Sequence, residues 1–423
     1  MLFFKKLLSQ NALMHILGLY FEDYLMSNYT IIPLEGGLAN VEGFYCDAIN
    51  VGMRPDASQG DVAFIRSEEP CDISAVFTSN RFQAAPIKHF QRYGENFQTN
   101  FVLINAKNAN AMTGAKGIED IDTIMSTLSE KIDVVNPVMS STGVIGYRLP
   151  VDKIVSAFDT LDFGAKNSNK TARAIMTTDS FKKEMALRIE LEDGSHFNIA
   201  AVCKGAGMIN PAMATMLCFI ITDADIPKAD MDTLLHEGAE HSFNRISVDG
   251  DTSTNDTVML LANRARRAYD KKAFGAALNQ MMFELAMMIL RDGEGANKVV
   301  AFKVKGAKSD EEARIAATAL SNSLLVKTAL FGEDPNWGRI ASTIGASGIA
   351  CDDTTLTIHY DDLLIYSDTF RELDKEREDQ AYKIMKQERF TVTCDLGLGE
   401  GSYTAYGCDL SYEYVKINAE YRT

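Results

Sequence analysis

The 423-residue chain has only six histidines, nine prolines and one tryptophan, and no C-x-x-C pair among its seven cysteines. Histidine this sparse argues against a metal enzyme. His236 and His241 share a predicted helix but lie five residues apart, about 140° around it, so they cannot serve one ion. The cysteines (Cys46, Cys71, Cys203, Cys218, Cys351, Cys394 and Cys408) are odd in number and scattered. That excludes a disulfide framework or zinc module and fits a reducing cytosol. Basic residues are in deficit: 42 Lys and Arg against 58 Asp and Glu give a net charge of −16. Such a surface repels nucleic-acid backbones and anionic lipid headgroups. No run of about 18 apolar residues occurs, so no membrane-spanning helix is expected. A Walker loop, a G-x-S-x-G elbow and an H-E-x-x-H pair are all missing.

What is there is an ordinary globular balance, 46% apolar and 24% charged, with length enough for two domains or one large layered domain. The opening MLFFKKLLSQNALMHILGLY is apolar with Lys5 and Lys6, as in a signal peptide. However, Ser9, Gln10, Asn11 and His15 interrupt it, and no small-residue cleavage site follows. Residues 1–30 read as an extension apart from the fold, either an amphipathic helix or sequence upstream of a start at Met26.

Periodicity then mixes strands and helices. Residues 187–192 and 196–202 alternate apolar and polar around Asp193-Gly194, a hairpin turn signal. Met216–Ile221 reads as a buried strand, and 299–305, 354–360, 390–395 and 411–417 as further strands. Apolar residues recur at helical spacing over 272–290, and Ser309 with Glu312 forms a capping box opening a helix to about Leu325. Gly397, Gly399 and Gly401 follow one strand and precede another, so they predict a turn or bulge, not a phosphate loop. The expected class is α+β, helices on mostly antiparallel sheets in a layered αββα arrangement.

Three blocks rich in glycine and polar residues punctuate this pattern: 140–146 (SSTGVIG), 204–215 (KGAGMINPAMAT) and 247–257 (SVDGDTSTNDT). In the second, a hairpin leads into a loop that ends at Ala214-Thr215, immediately before a buried strand. Small neighbours leave the threonine approachable. If the preceding peptide bond breaks, the freed α-amine, with a pKa of about 7.7–8, can act as base for its own hydroxyl. Taken alone, a threonine in this place is most simply a strand residue.

The blocks KGAGMINPAMATML, VDGDTSTNDT, DGEGANK (292–298), GEDPNWGRI (332–340) and INAEYRT (417–423) together resemble the ornithine acetyltransferase family, the bifunctional glutamate N-acetyltransferases of arginine biosynthesis. The resemblance runs from about Gly36 to the C-terminus. It implies an architecture like that of N-terminal-nucleophile hydrolases, with self-cleavage between Ala214 and Thr215 into an α chain (31–214) and a β chain (215–423). The cleaved chains would pair as an α2β2 assembly in the cytoplasm. It implies Thr215 as nucleophile in a ping-pong transfer of acetyl from N2-acetylornithine to glutamate. It also implies Thr142 and Gly143 as the oxyanion hole, and Thr178 (Thr177 its alternative), Lys204, Thr215, Glu294, Asn418 and Thr423 as the substrate-binding set. Lys204 suits an α-carboxylate and Glu294 the ornithine side-chain amine. No cofactor or metal is implied, and acetyl-CoA is left open as a second donor. Blocks 249–257 and 334–339 are implied to be structural, with Arg339 a candidate partner for a buried acid.

The sequence departs from the family at Lys107, where glycine is common, at Ala206 in place of serine, and at Asn297 in place of threonine. The rival activities are an amidohydrolase or aminopeptidase using water as acceptor, and a non-catalytic amino-acid-binding relative that keeps its chain intact.

Overall fold

The computed structural model describes residues 28–56, 58–210 and 216–420. Its strands are β1 (Tyr29–Pro33), β2 (Phe44–Ile49), β3 (Val62–Phe77), β4 (Gln98–Asn105), β5 (Val138–Ser141), β6 (Lys183–Leu191), β7 (His196–Lys204) and β8 (Leu217–Thr222). They continue as β9 (Ile246–Ser247), β10 (Thr257–Ala262), β11 (Val299–Ala307), β12 (Thr357–Tyr360), β13 (Leu363–Tyr366), β14 (Arg389–Asp395) and β15 (Gly401–Cys408). The α-helices are α1 (Ala85–Gln91), α2 (Gly114–Ser129), α3 (Val151–Ser156), α4 (Ser168–Ala174), α5 (Lys228–His241) and α6 (Lys271–Arg291). After them come α7 (Asp310–Asn322), α8 (Leu324–Phe331), α9 (Trp337–Ala346), α10 (Lys375–Met385) and α11 (Tyr412–Ala419).

The first sheet runs β1-β6-β7-β8-β10-β3-β4-β5, with β2 also on β3. Its shape follows from β3, sixteen residues long. The first half of β3 pairs with β2 and β4, the second half with β10, and the register with β4 shifts between Arg66 and Cys71. Pro70 sits in that shift, where the missing N–H costs no ladder bond. The two halves of the sheet share one apolar layer. Ala63, Ile65, Val102 and Ile104 from one half meet Ala200, Val202, Phe219 and Met259 from the other. The alternating residues face outward, each half under its own helices. Phe197, Ile199, Cys218 and Leu260 lie against α5 and α6, while Phe64, Phe101 and Leu103 lie against α2 and α3. The result is helix, sheet, sheet, helix, the layering expected from the sequence. Each fully buried phenylalanine or leucine in these layers contributes about 1.5–3 kcal/mol.

The second sheet, β13-β12-β14-β11-β15-β9, buries one face under α7, α8, α9 and α10. On β11 the other face carries exposed Lys303 and Lys305. Its edge strand β9 places Ile246 in the first sheet's outer core. Helix α6 is long and apolar enough to cross a membrane, yet most of it is buried against β6, β7 and α5.

Several expectations hold in detail. β6 and β7 form the hairpin, turning at Gly194 with φ +81°, and β8 is buried along its whole length. Ser309 accepts a hydrogen bond from Glu312 N–H at 3.2 Å at the start of α7. Both sheets are mixed, with parallel pairs β4–β5, β8–β10, β11–β14 and β9–β15 among a majority of antiparallel ones.

Three expectations are corrected. The helix from Ser309 stops at Asn322, because Ser323 turns extended (ψ 113°) and caps a new helix, accepting from Val326 N–H. Residues 411–417, whose alternation suggested a strand, belong to helix α11, which buries no residue of its own. Only Tyr414 and Ile417, three apart on one face, are half-buried, so the period-two alternation carried no burial information. The extension expected to reach residue 30 is shorter, since Tyr29 and Thr30 pair with Leu191 and Glu190 in β1. The residues before 28 lie outside the described structure.

Candidate active site

Strand register brings the blocks together. Lys204, the last residue of β7, pairs with Leu217 at the start of β8, and Leu217 pairs with Thr257 at the start of β10. Three strand ends therefore meet where the chain approaches the Ala214–Thr215 bond. Ala214 and Thr215, like Thr423, lie outside the described residues.

Lys204 is buried at 2% exposure. Burial pushes its ammonium pKa down, opposed by the charge of Asp179 and reinforced by that of Lys183. Asp179 organises this corner. It accepts from Lys183 Nζ at 2.8 Å, from Gly205 N–H at 2.8 Å and from Thr177 N–H at 3.0 Å. Burial alone would raise its pKa, but Lys204, Lys183 and these hydrogen bonds more than offset that and hold it at about 2. Lys183 is also bonded to Asp292 at 2.5 Å, and its two carboxylates overcome burial to raise its pKa. Asp292 in turn accepts from the Ser180 N–H and hydroxyl. One buried cluster thus ties the 176–180 segment carrying Thr178, the start of the 205–210 loop, and the end of α6. Thr178 itself is partly exposed beside Asp179.

Past Asp292 the chain turns through Gly293 into Glu294, whose N–H donates to Ala206 carbonyl at 2.9 Å. The Glu294 carboxylate presses on Gly207, where an added Cβ would sit 2.5 Å from its carboxyl carbon. Asn418 Nδ2 on α11 donates to Glu294 Oε2 at 2.7 Å. The loop 205–210 therefore carries a buried cation at one end and a buried carboxylate against its middle.

Thr142 and Gly143 follow β5. Thr142 N–H donates to Asn105 carbonyl at 3.0 Å, and among the described residues its hydroxyl makes no hydrogen bond. Gly143 has φ +133°, and a Cβ there would lie 2.2 Å from the Lys107 carbonyl carbon, so only glycine fits.

The block 247–257 is the clamp between these parts. Asp249 accepts from Met208 N–H at 2.6 Å, Ile209 N–H at 2.8 Å and the Tyr414 hydroxyl at 3.3 Å. Asn255 Nδ2 donates to Ser141 carbonyl at 2.8 Å and Ala109 carbonyl at 2.6 Å, fixing the turn into Thr142. Asp256, fully buried, accepts from Met216 N–H at 3.1 Å, and its second oxygen has no partner among the described residues. Burial, only partly offset by that hydrogen bond and by Lys204, pushes the Asp256 carboxyl pKa well up.

Lys204, Glu294, Asn418, Thr142 and Gly143 are thus all held on one connected framework. Sequence reasoning assigned the 249–257 block only a general structural part. Its density of Asp, Asn and Thr was the available signal, but not which main-chain groups each would bind. Asp179, Lys183 and Asp292 were missed outright, because nothing local marks a lysine and two aspartates that meet only in the fold. Arg339 does not meet a buried acid. It donates to the Leu325 carbonyl at 2.8 Å and the Thr328 hydroxyl at 3.2 Å, while neighbouring Trp337 stacks on Tyr366. Among the described residues no group of His, Cys, Asp and Glu could hold a metal ion.

Comparison with known proteins gives consistent matches. A family model described as the ArgJ family matches residues 45–423. A protein from Wolinella succinogenes named arginine biosynthesis bifunctional protein ArgJ is 57% identical over 396 residues, spanning 93% of this chain and 100% of that protein. A Geobacter sulfurreducens protein of the same name is 40% identical, spanning 91% and 100%. Among solved structures, an ornithine acetyltransferase complexed with ornithine from Mycobacterium tuberculosis is 28% identical, with a TM-score of 0.38, covering 43% of this chain and 98% of that one.

Proposed function

The chain belongs to the ArgJ family, and from that premise we propose that it is a glutamate N-acetyltransferase of arginine biosynthesis, matured by self-cleavage at Ala214–Thr215. The observation that carries the proposal is the pair of opposite buried charges, Lys204 and Glu294, at either side of the 205–210 loop. N-acetylornithine bears an α-carboxylate and a side-chain ammonium, and this pair matches both.

In the reaction, the α-amine freed by cleavage takes the proton of the Thr215 hydroxyl, and the oxygen attacks the acetyl carbonyl. Charge builds on the carbonyl oxygen, and Thr142 hydroxyl and Gly143 N–H receive it. The C–N bond breaks, the amine proton goes to the leaving nitrogen, and ornithine departs from an acetyl-threonine ester. The glutamate α-amine then attacks the ester, regenerating Thr215 and releasing N-acetylglutamate. An amide is exchanged for a similar amide, so neither step needs an outside energy source. Lys204, Thr178, Asn418 and Thr423 hold the α-carboxylate and backbone of each substrate.

The proposal extends to acetyl-CoA as a second donor loading the same threonine, since the relatives are named bifunctional. It includes paired α and β chains in an α2β2 assembly in the cytoplasm. Strands from both sides of residue 214 interleave in the first sheet, where β8 and β10 separate β7 from β3, which supports chains that stay together after cleavage.

The test is N-acetylornithine alone. The proposal expects one ornithine released per active chain, then arrest, then resumption on adding glutamate. Continuous ornithine release without glutamate would instead identify an amidohydrolase.

A further inference from the structure

Lys107 sits in the left-handed region, φ +74°, where a non-glycine residue costs about 1–3 kcal/mol. Its main chain is committed to the oxyanion turn: Val144 N–H donates to its carbonyl at 3.3 Å, and Gly143 packs directly on it. Its side chain is half-buried and forms no ion pair among the described residues. Burial pushes its ammonium pKa down, and so do the positive charges of Arg54 and Lys204. Arg54 lies close enough for its charge to act on Lys107. It donates to Met176 carbonyl at 2.5 Å, next to Thr177 and Thr178, while its Nε–H is buried without an acceptor among the described residues. The nearby carboxylates are already engaged. Asp179 is shared with Lys183 and two main-chain amides, and Asp61 accepts from the N–H groups of Val51, Met53 and Arg54.

A strained, partly desolvated lysine that feels two other cations and forms no ion pair among the described residues is costly to hold. An arriving anion would repay that cost. N-acetylornithine carries no net charge and has only the α-carboxylate to offer. Glutamate brings a second carboxylate, and acetyl-CoA brings phosphates. We propose that Lys107, with Arg54 beside it, forms a second anion subsite next to the oxyanion turn, taking the carboxylate or phosphate group that N-acetylornithine lacks. The inference rests on the acetyl-transfer reading above, and it assigns the substrate charge that reading leaves without a partner.

The test uses the full mature protein with Lys107→Gly, which suits φ +74° and so keeps the turn, Lys107→Met, which keeps bulk without charge, and Lys107→Arg. The Gly and Met variants should raise KM for glutamate or for acetyl-CoA by about ten-fold or more, well beyond any change for N-acetylornithine, and Arg should restore most of the loss. A rise confined to glutamate identifies the side-chain carboxylate as the ligand, and one confined to acetyl-CoA identifies phosphate. Equal changes for all three substrates, or none, would overturn the subsite.

Calorimetric titration with glutamate and with inorganic pyrophosphate keeps the inference separate from the reaction. Wild type should bind at least one of them about ten-fold more tightly than Lys107→Gly. Equal binding, or none by wild type, overturns the subsite even if acetyl transfer is confirmed. Absence of acetyl transfer with a clear binding difference would instead overturn the proposed reaction alone.

Discussion

Replacing Asp179 by asparagine removes one charge from a cluster shielded from solvent. Asp179 and Lys183 side chains are fully buried and Asp292 nearly so. Three donors converge on Asp179, from Lys183 and Gly205 on one oxygen and Thr177 on the other. An amide accepts on one side only, so either Thr177 N–H is orphaned, or Gly205 N–H is and Lys183 keeps only Asp292. Each orphaned buried donor costs about 1–3 kcal/mol. The lost charge adds to this. A carboxyl held at about 2 instead of the ordinary 3.8 is worth about 2 kcal/mol at neutral pH. The sum, about 3–5 kcal/mol, matches what removing one partner of a buried pair costs, and for a chain of this length it should lower Tm by roughly 3–6 °C.

The pH dependence follows from the sign of the shift. A carboxyl with a depressed folded pKa stabilises the fold above its unfolded value and loses that contribution as pH falls through the folded one. The gap between wild type and Asp179→Asn should therefore be full above pH 4 and shrink between pH 4 and about 2. Function should move too. Asp179 is the acid that supports the Lys204 charge, so KM for N-acetylornithine should begin its alkaline rise at lower pH in the variant. Thermal melts across pH and KM-against-pH profiles measure both. A Tm loss below about 2 °C, or an unmoved alkaline limb, would refute the reasoning.

Four further outcomes follow from the same geometry. Gly143→Ala, whose Cβ would strike the Lys107 carbonyl carbon, should cost about 10²–10³ in kcat, and kinetics within three-fold of wild type would dismiss that turn as the oxyanion site. Glu294→Gln removes the carboxylate proposed to pair the ornithine amine, so KM for N-acetylornithine should rise about ten-fold or more while glutamate changes less; equal losses would argue against amine pairing. Asp256→Asn removes a carboxyl whose pKa burial pushes well up. A raised folded pKa costs stability as pH rises above the ordinary 3.8, so this variant should gain Tm relative to wild type as pH increases from there, and a constant difference would show the group is not shifted. Asn255→Ala should leave the carbonyls of Ser141 and Ala109 without their shared donor. Its kcat should fall while KM moves little, and a pure KM effect would place Asn255 outside the oxyanion turn.

The sequence made legible whatever local pattern controls. Alternation around Asp193-Gly194 gave the β6–β7 hairpin, helical spacing gave α6, and the Ser309 box gave the start of α7. It failed at α11, where Tyr412, Glu413, Tyr414 and Val415 are exposed or half-exposed and no face is buried to set a period. It failed at Ser323, where a side-chain cap competes with helix continuation. Of the site, Lys204, Glu294, Asn418, Thr142 and Gly143 came from family resemblance, and the fold holds them on one framework. The buried cluster of Asp179, Lys183 and Asp292 was invisible, because its members are joined by burial and not by spacing. The strain at Lys107 was invisible too, since a dihedral angle is set by the turn around it. The departure from glycine was noticed, but not that the lysine keeps a glycine-like conformation.

The central claim is that the chain cuts itself before Thr215 to make its own nucleophile. The most direct measurement is the intact mass of the purified protein under denaturing conditions, with N-terminal sequencing of each species. The account predicts two chains, one of them beginning at Thr215, and a single uncut chain for Thr215→Ala. One species of 46.6 kDa from the wild-type protein, or cleavage that survives in Thr215→Ala, would contradict it.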